Sequence, residues 1–281
     1  MRTHTIENAT NRVQELIGTH RPVVVLAQDY EAGEKVPCHD HAKAQLIYAI
    51  EGSLLVSTHT DRWALISSRA IWVPAHTPHY LRMRSKVRMR TAYFEVEPTP
   101  AREQCAVISV SPLLRDLILA LLHEPRQYEA GSRGAHMAAL ILSEVQSTNS
   151  ISPLHLPWPE DPRLKKLCEA MLRRPHLGAD MEYWAAKLEI STRSLGRLFR
   201  SELKMTFQEW RSQLLLMEAQ IRLSELQPSL RVARALGYES HAAFSAMFRR
   251  VLGMTPREYV KNVYDGLPAS EHGRNLDLAK G

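Results

Sequence analysis

The chain has 281 residues, 44% of them hydrophobic and 23% charged, with a formal net charge of +6. Ordinary apolar content excludes a disordered chain, and at roughly 100–200 residues per domain the length suits two domains, each with its own core. Apolar runs such as Leu117 to Leu122 stop far short of the ~20 residues a membrane span needs, so no membrane partner is expected. The opening MRTHTIENATNR lacks the apolar core of an export signal, and Cys38, Cys105 and Cys168 lie far apart without CxxC pairing; a cytoplasmic protein with reduced thiols is expected.

The charge is unevenly spread. Residues 1–162 carry 16 Lys and Arg against 17 Asp and Glu, whereas residues 163–264 carry 18 against 10. A polyanion partner for that second stretch is the natural inference, set against a basic surface of no consequence.

From Arg21 to Pro98 the pattern is that of strands. PVVVLA, QLIYAI, SLLVST and AIWVPA are rich in Val, Ile, Tyr and Trp and are separated by Gly, Asp and Pro, which argues for a sandwich or barrel. Within this region Gly33, His39, His41, Gln45 and Gly52 form the most chemical spacing of the first half. Strand alternation puts His39, His41 and Gln45 on one side, and VPAHTPH places His79 in a turn able to return to them. This spacing resembles the first cupin motif with Gln in place of the usual Glu, and His79 falls at the histidine of the second. The resemblance implies a small barrel in residues 1–100, with His39, His41, Gln45 and His79 as ligands of a divalent transition metal. Three readings stay open: a metal site, a metal-free effector pocket, and structural histidines. His76 and Cys38 are taken as bystanders, Trp63 and Trp72 as core, and Arg82, Arg84, Lys86, Arg88 and Arg90 as one solvated strand face.

After Pro112 the period changes to that of helices. Leu113, Leu114, Leu117, Ile118, Leu121 and Leu122 form one apolar stripe, and Met137, Leu140, Ile141 and Leu142 a second, giving a helical pair within 101–150. Residues 151–160, Ser- and Pro-rich, read as a linker, and 265–281 as a flexible tail.

Residues 161–264 read as all-helical with an internal repeat. Leu188, Phe199, Met205, Thr206, Glu209 and Trp210 answer to Leu236, Phe248, Met254, Thr255, Glu258 and Tyr259, offset by 48 residues in front and 49 behind. Each copy, 181–202 and 229–252, has the plan of a helix-turn-helix. In the first, Ser191 caps a helix whose Leu195, Leu198, Phe199 and Leu203 turn inward; its polar face carries Thr192, Arg193, Ser194, Gly196, Arg197 and Arg200. In the second, Gly237 makes the turn and Ser240 or Glu239 opens a helix with Ala243, Phe244, Met247 and Phe248 inward. Ser240, His241, Ala242, Ser245, Arg249 and Arg250 are its candidate DNA contacts. Arg193 and Arg197, four residues apart, are placed to reach guanine edges.

GYESHAAFSAMFRRVLGMTPREYV resembles the second helix-turn-helix signature of the AraC/XylS regulators, through Gly237, Tyr238, Ser240, Phe244, Phe248, Gly253, Pro256 and Tyr259. The resemblance implies seven helices over 161–264, with Phe207 to Leu226 as the connector between two recognition helices in successive major-groove turns. It places Thr192, Arg193, Gly196 and Arg197, then His241, Ala242, Ser245 and Ala246, toward the bases. Glu189 stands where the family has Gly, a local strain. It also implies promoter DNA and a small-molecule effector as partners, RNA polymerase where the protein activates, and a homodimer through the helical pair, for which intramolecular packing is the other reading. The expected fold is thus α+β multidomain: a cupin-like β-barrel plus helical pair, then an all-α double helix-turn-helix domain. The function is that of a transcription regulator, not an enzyme. The alternative is a metal-dependent cupin enzyme tethered to DNA, against which no acid/base or nucleophile constellation accompanies the histidines.

Overall fold

The computed structural model of the chain describes residues 19–67, 69–95, 102–148, 155–176 and 180–265. Residues 151–154 of the expected linker and the expected tail from 266 onward lie outside them. The described residues form two units: one of 19–58 and 65–148, the other of 59–64 and 155–265.

In the first unit Val, Ile and aromatic runs become strands in two sheets. The first has the order β1 (Val23–Tyr30), β8 (Val87–Phe94), β3 (Ala44–Glu51), β6 (Arg69–Val73), β9 (Ala106–Ser109). Of the second, β4 (Ser53–Ser57), β7 (His79–Met83) and β2 (Lys35–His39) lie in this unit, in that order. All the pairings are antiparallel, as short connections permit. The expected barrel is therefore a cupin-like pair of sheets that do not close. Gly52 turns β3 into β4 with φ +87°, and a Cβ there would stand 2.1 Å from the Lys86 carbonyl oxygen, so only glycine fits.

β3 is buried from Ala44 to Ile50, so both its faces are covered. Ala44, Leu46, Tyr48 and Ile50 join Trp72, Phe94 and the helices α1 (Pro112–Leu121) and α2 (Arg133–Ser147) in one core. Ser111 and Ser132 cap these helices, accepting from the amides of Leu114 and Ala135. Leu114, Leu117, Ile118 and Leu121 are buried as expected, and Ile141 from the second stripe, while Leu113 and Leu140 stay about half exposed. Two expectations need correction. Ala106–Ser109 extends the first sheet, so the helical pair begins only at Pro112. The arginine run is not one strand face either: Ser85 and Lys86 break it, Arg82 is exposed on β7, and Arg90 is buried on β8 with its guanidinium 2.8 Å from Asp29.

In the second unit β5 (Asp61–Ile66) contributes Asp61–Ala64 and pairs with β10 (His155–Pro157), a strand where the sequence suggested linker. Pro157 presents its carbonyl to the Trp210 indole N–H at 3.0 Å, and Arg62 lies 4.4 Å over Trp158. Seven helices follow: α3 (Pro162–Arg173), α4 (Met181–Lys187), α5 (Thr192–Leu203), α6 (Phe207–Ser224), α7 (Ser229–Ala235), α8 (His241–Leu252) and α9 (Pro256–Asp265). The repeat is visible in the contacts. Phe199 meets Trp210 at 6.2 Å between ring centres, and Phe248 meets Tyr259 at 5.4 Å. Thr206 with Glu209 and Thr255 with Glu258 form the same cap: the Thr amide and hydroxyl donate to the Glu carboxylate, and the Glu amide donates back to the hydroxyl.

Candidate functional site

Two sites carry chemistry. The first is a cluster of side chains in the first unit, built from two cross-strand pairs, one in each sheet. His39 at the end of β2 sits opposite His79 at the start of β7, and Gln45 on β3 sits opposite Tyr93 on β8. His41 lies in the connection from β2 to β3, its ring centre 5.4 Å from His79 and 5.3 Å from Tyr93. The four expected residues therefore converge, but not by alternation along one strand: the chain crosses from one sheet to the other between His39 and Ala44. The 74–78 loop docks on this crossing, with the His76 amide donating to the His41 carbonyl at 2.8 Å.

One ring nitrogen from each of His39, His41 and His79 lies within 4.8 Å of the other two. In all three the Nδ1 atom is tied to a main-chain carbonyl: Pro37 at 2.9 Å, Lys43 at 2.6 Å and Thr77 at 2.8 Å. Donation from Nδ1–H fixes the tautomer and leaves each Nε2 with a lone pair. Burial drives the His79 pKa down to about 4 and lowers that of His41, so both rings are neutral near pH 7. Lys43, which supplies the carbonyl for His41, is itself buried and held by Glu95 and by the Thr19 carbonyl at 2.6 Å. Tyr93 was not singled out from the sequence; its register opposite Gln45 is the signal that identifies it. Its hydroxyl accepts from the Gln45 amide at 3.3 Å, and burial raises its pKa.

The second site is the outer face of the repeated helix-turn-helix. Ser191 caps α5 by accepting from the Ser194 amide, and Ser240 caps α8 by accepting from the Ala243 amide. On α5, Thr192, Arg193, Arg197 and Arg200 are exposed, Ser194 is half buried, and Leu195, Phe199 and Leu203 are inside. Gly196 does not simply face outward: it packs on α4, where a Cβ would stand 3.0 Å from the Met181 methyl. On α8, His241, Ala242, Ala246, Arg249 and Arg250 are exposed and Ser245 half buried; Ala243, expected inward, is exposed. His241 is held by the Ser229 hydroxyl at 2.8 Å. Both turns use a left-handed residue, Gly237 at φ +84° and Glu189 at φ +56°, so the strain expected at Glu189 is present. Among the described residues Arg193 and Arg197 have no hydrogen-bond or ion-pair partner.

A repeated helix-turn-helix in one unit and a two-sheet domain in the other are the parts of a DNA-binding regulator with a ligand-binding domain. Residues 184–262 match the model of a helix-turn-helix domain, and residues 21–141 that of the AraC-like ligand binding domain. The chain is 29% identical over 234 residues to the HTH-type transcriptional regulator NimR of Escherichia coli (strain K12), covering 83% of this chain and 85% of that protein. A solved AraC-type transcriptional regulator from Chromobacterium violaceum is 25% identical, covering 37% of this chain and 93% of its own, with a TM-score of 0.34. ToxT from Vibrio cholerae is 9% identical over 85% of this chain and 98% of its own, with a TM-score of 0.35. The two matched domains together are those of an AraC-type DNA-binding transcription regulator with a ligand-binding domain. Among its described residues no helix is long and apolar enough to cross a membrane.

Proposed function

We propose that this regulator reads promoter DNA with α5 and α8, and that an effector in the pocket of His39, His41, Gln45 and His79 sets its occupancy there. The observation that carries the reading is the pair of guanidinium groups, Arg193 and Arg197, without a partner among the described residues and one turn apart on the exposed face of a capped helix. Two arginines at that spacing rise about 6 Å along the axis, matched to successive base edges in the major groove. Arg200, Arg249 and Arg250 at the far ends of the helices suit phosphates, and Thr192, Ser194, His241, Ala242, Ser245 and Ala246 line the approach. The protein works in the cytoplasm, without catalysis, as a homodimer joined through Leu113 and Leu140, and engages RNA polymerase where it activates. Selection of the full chain on a random duplex pool tests it. The expected outcome is a motif of two elements about one helical turn, roughly 10 bp, apart; enrichment of no motif overturns it.

The pocket needs only to favour one domain arrangement to switch occupancy. A preference of about 1–3 kcal/mol between two states changes affinity roughly 5- to 150-fold.

A further inference from the structure

We infer that Ser229, at the start of α7, is a positioning residue for DNA reading: its hydroxyl holds the His241 ring so that Nδ1–H is offered to a guanine edge. The inference rests on the DNA-reading proposal above and names the side chain and the hydrogen bond through which α8 reads.

α8 has few side chains with which to read. It opens on His241, Ala242 and Ala243, and the Phe244 and Met247 that follow are buried. Ser240 ahead of them is occupied as the cap, accepting from the Ala243 amide, and Ser245 is half buried. Arg249 and Arg250 lie two turns farther on, about 12 Å along the axis, at the end suited to phosphates. His241 is therefore the one long polar side chain at the N-terminal end of α8, the end that lies nearest the base edges in a helix-turn-helix.

The ring is held in place. Its Nε2 lies 2.8 Å from the Ser229 hydroxyl, and its centre lies 6.4 Å from that of the buried Phe244 ring. An imidazole lone pair accepts more strongly than an alcohol oxygen, so the Ser229 hydroxyl donates to Nε2 and the ring proton stays on Nδ1. The two ring nitrogens point to opposite sides, so Nδ1–H is directed away from Ser229. A single donor there is matched by guanine, whose N7 and O6 lie side by side in the major groove, and opposed by the amino group of cytosine. The first unit lacks this pair. Under the repeat Met181 answers to Ser229 and Thr192 to His241, and the Met181 methyl packs over Gly196.

Full-length wild type, Ser229→Ala, Ser229→Thr and His241→Ala are compared in two measurements. Nitrogen-15 NMR of the ring, assigned by its loss in His241→Ala, should show the Nδ1–H form in wild type and Ser229→Thr, and a shift toward Nε2–H in Ser229→Ala. A wild-type ring in the Nε2–H form overturns the inference. Selection on random duplexes, followed by anisotropy titration, is the second measurement. His241→Ala should lower affinity for the selected site roughly 2- to 12-fold, the worth of one hydrogen bond, with the loss confined to one G·C pair. Ser229→Ala should lose preference at that same pair, and combining it with His241→Ala should cost nothing more. Ser229→Thr keeps the hydroxyl and should keep the preference, which separates aiming of the ring from packing of α7. A motif selected with equal preference by wild type and Ser229→Ala overturns the positioning role and leaves the DNA reading intact. Wild-type protein that selects no motif removes the DNA reading, and the inference with it.

Discussion

Arg197→Ala tests the reading of α5 most directly. The side chain is exposed and has no partner among the described residues, so its removal takes away no bond to them and creates no cavity. Unfolding free energy should stay within about 0.5 kcal/mol of wild type, as for ordinary surface substitutions. A bidentate contact to guanine O6 and N7 is worth about 1–3 kcal/mol of discrimination, so affinity for the selected site should fall roughly 5- to 150-fold. The loss should be concentrated at one base pair: changing that pair in the DNA should weaken wild type but barely affect the variant. Fluorescence-anisotropy titrations at several salt concentrations supply the second readout, because a base-reading arginine leaves the salt slope nearly unchanged. Arg249→Ala, at a phosphate position, should instead weaken all duplexes alike and lower the slope by about 0.9. An Arg197→Ala loss equal on every sequence would refute the assigned orientation of the helix. So would a loss of stability, since none of the described residues bonds to that guanidinium.

Four further outcomes follow from the geometry. Glu189→Gly should stabilise the DNA-binding unit by about 0.5–1 kcal/mol in a thermal melt, because a left-handed non-glycine residue costs roughly 1–2 kcal/mol and the glycine's own entropy returns part of it. Thr206→Ala and Thr255→Ala should each cost about 1 kcal/mol, read by urea titration, since each deletes the same reciprocal cap. In chelator-treated protein the buried neutral His79 makes the fold acid-sensitive. Its pKa falls from 6.5 unfolded to about 4 folded, so the unfolded chain binds more protons between those values. Stability is complete above pH 6.5 and falls as pH drops toward 4, by about 2–3 kcal/mol at pH 4.5; denaturation midpoints at pH 7.5 and 4.5 check it, and no difference would contradict the burial. Leu113→Lys with Leu140→Lys should shift a dimer to monomer in analytical ultracentrifugation while leaving thermal stability nearly unchanged, as both side chains are about half exposed.

What could be read from the sequence divides along physical lines. The helices of the DNA-binding unit were legible almost throughout, because their determinants are local: caps at Ser191 and Ser240, turns at Glu189 and Gly237, and apolar residues at helical spacing all lie within a few residues of what they govern. The two misplacements there, Gly196 and Ala243, concern which side of a helix a small residue faces, where hydrophobicity gives little signal and the neighbour decides; for Gly196 it is Met181. Strands were less legible when they were short or carried proline. Ala106–Ser109 has four residues, and His155–Pro157 sits among prolines that mimic a linker, yet each gains its ladder from a partner more than 30 residues away.

The pocket combines the two cases. Its histidines were nameable from spacing, but the reason they meet was not, since alternation along one strand does not bring them together. They meet because β2 and β3 belong to different sheets, and the short crossing between them carries His41 into the gap. Tyr93 enters through register alone, opposite Gln45, and the three carbonyl clamps on Nδ1 come from the backbone at Pro37, Lys43 and Thr77, which composition does not reveal. The chemistry therefore depends on main-chain geometry as much as on side-chain identity. A substitution such as Pro37→Ala, which leaves every side chain of the cluster in place but frees the segment holding His39, should shift the His39 ring resonances in NMR and leave those of His79 nearly unchanged, whereas a cluster set by composition alone would be indifferent to it.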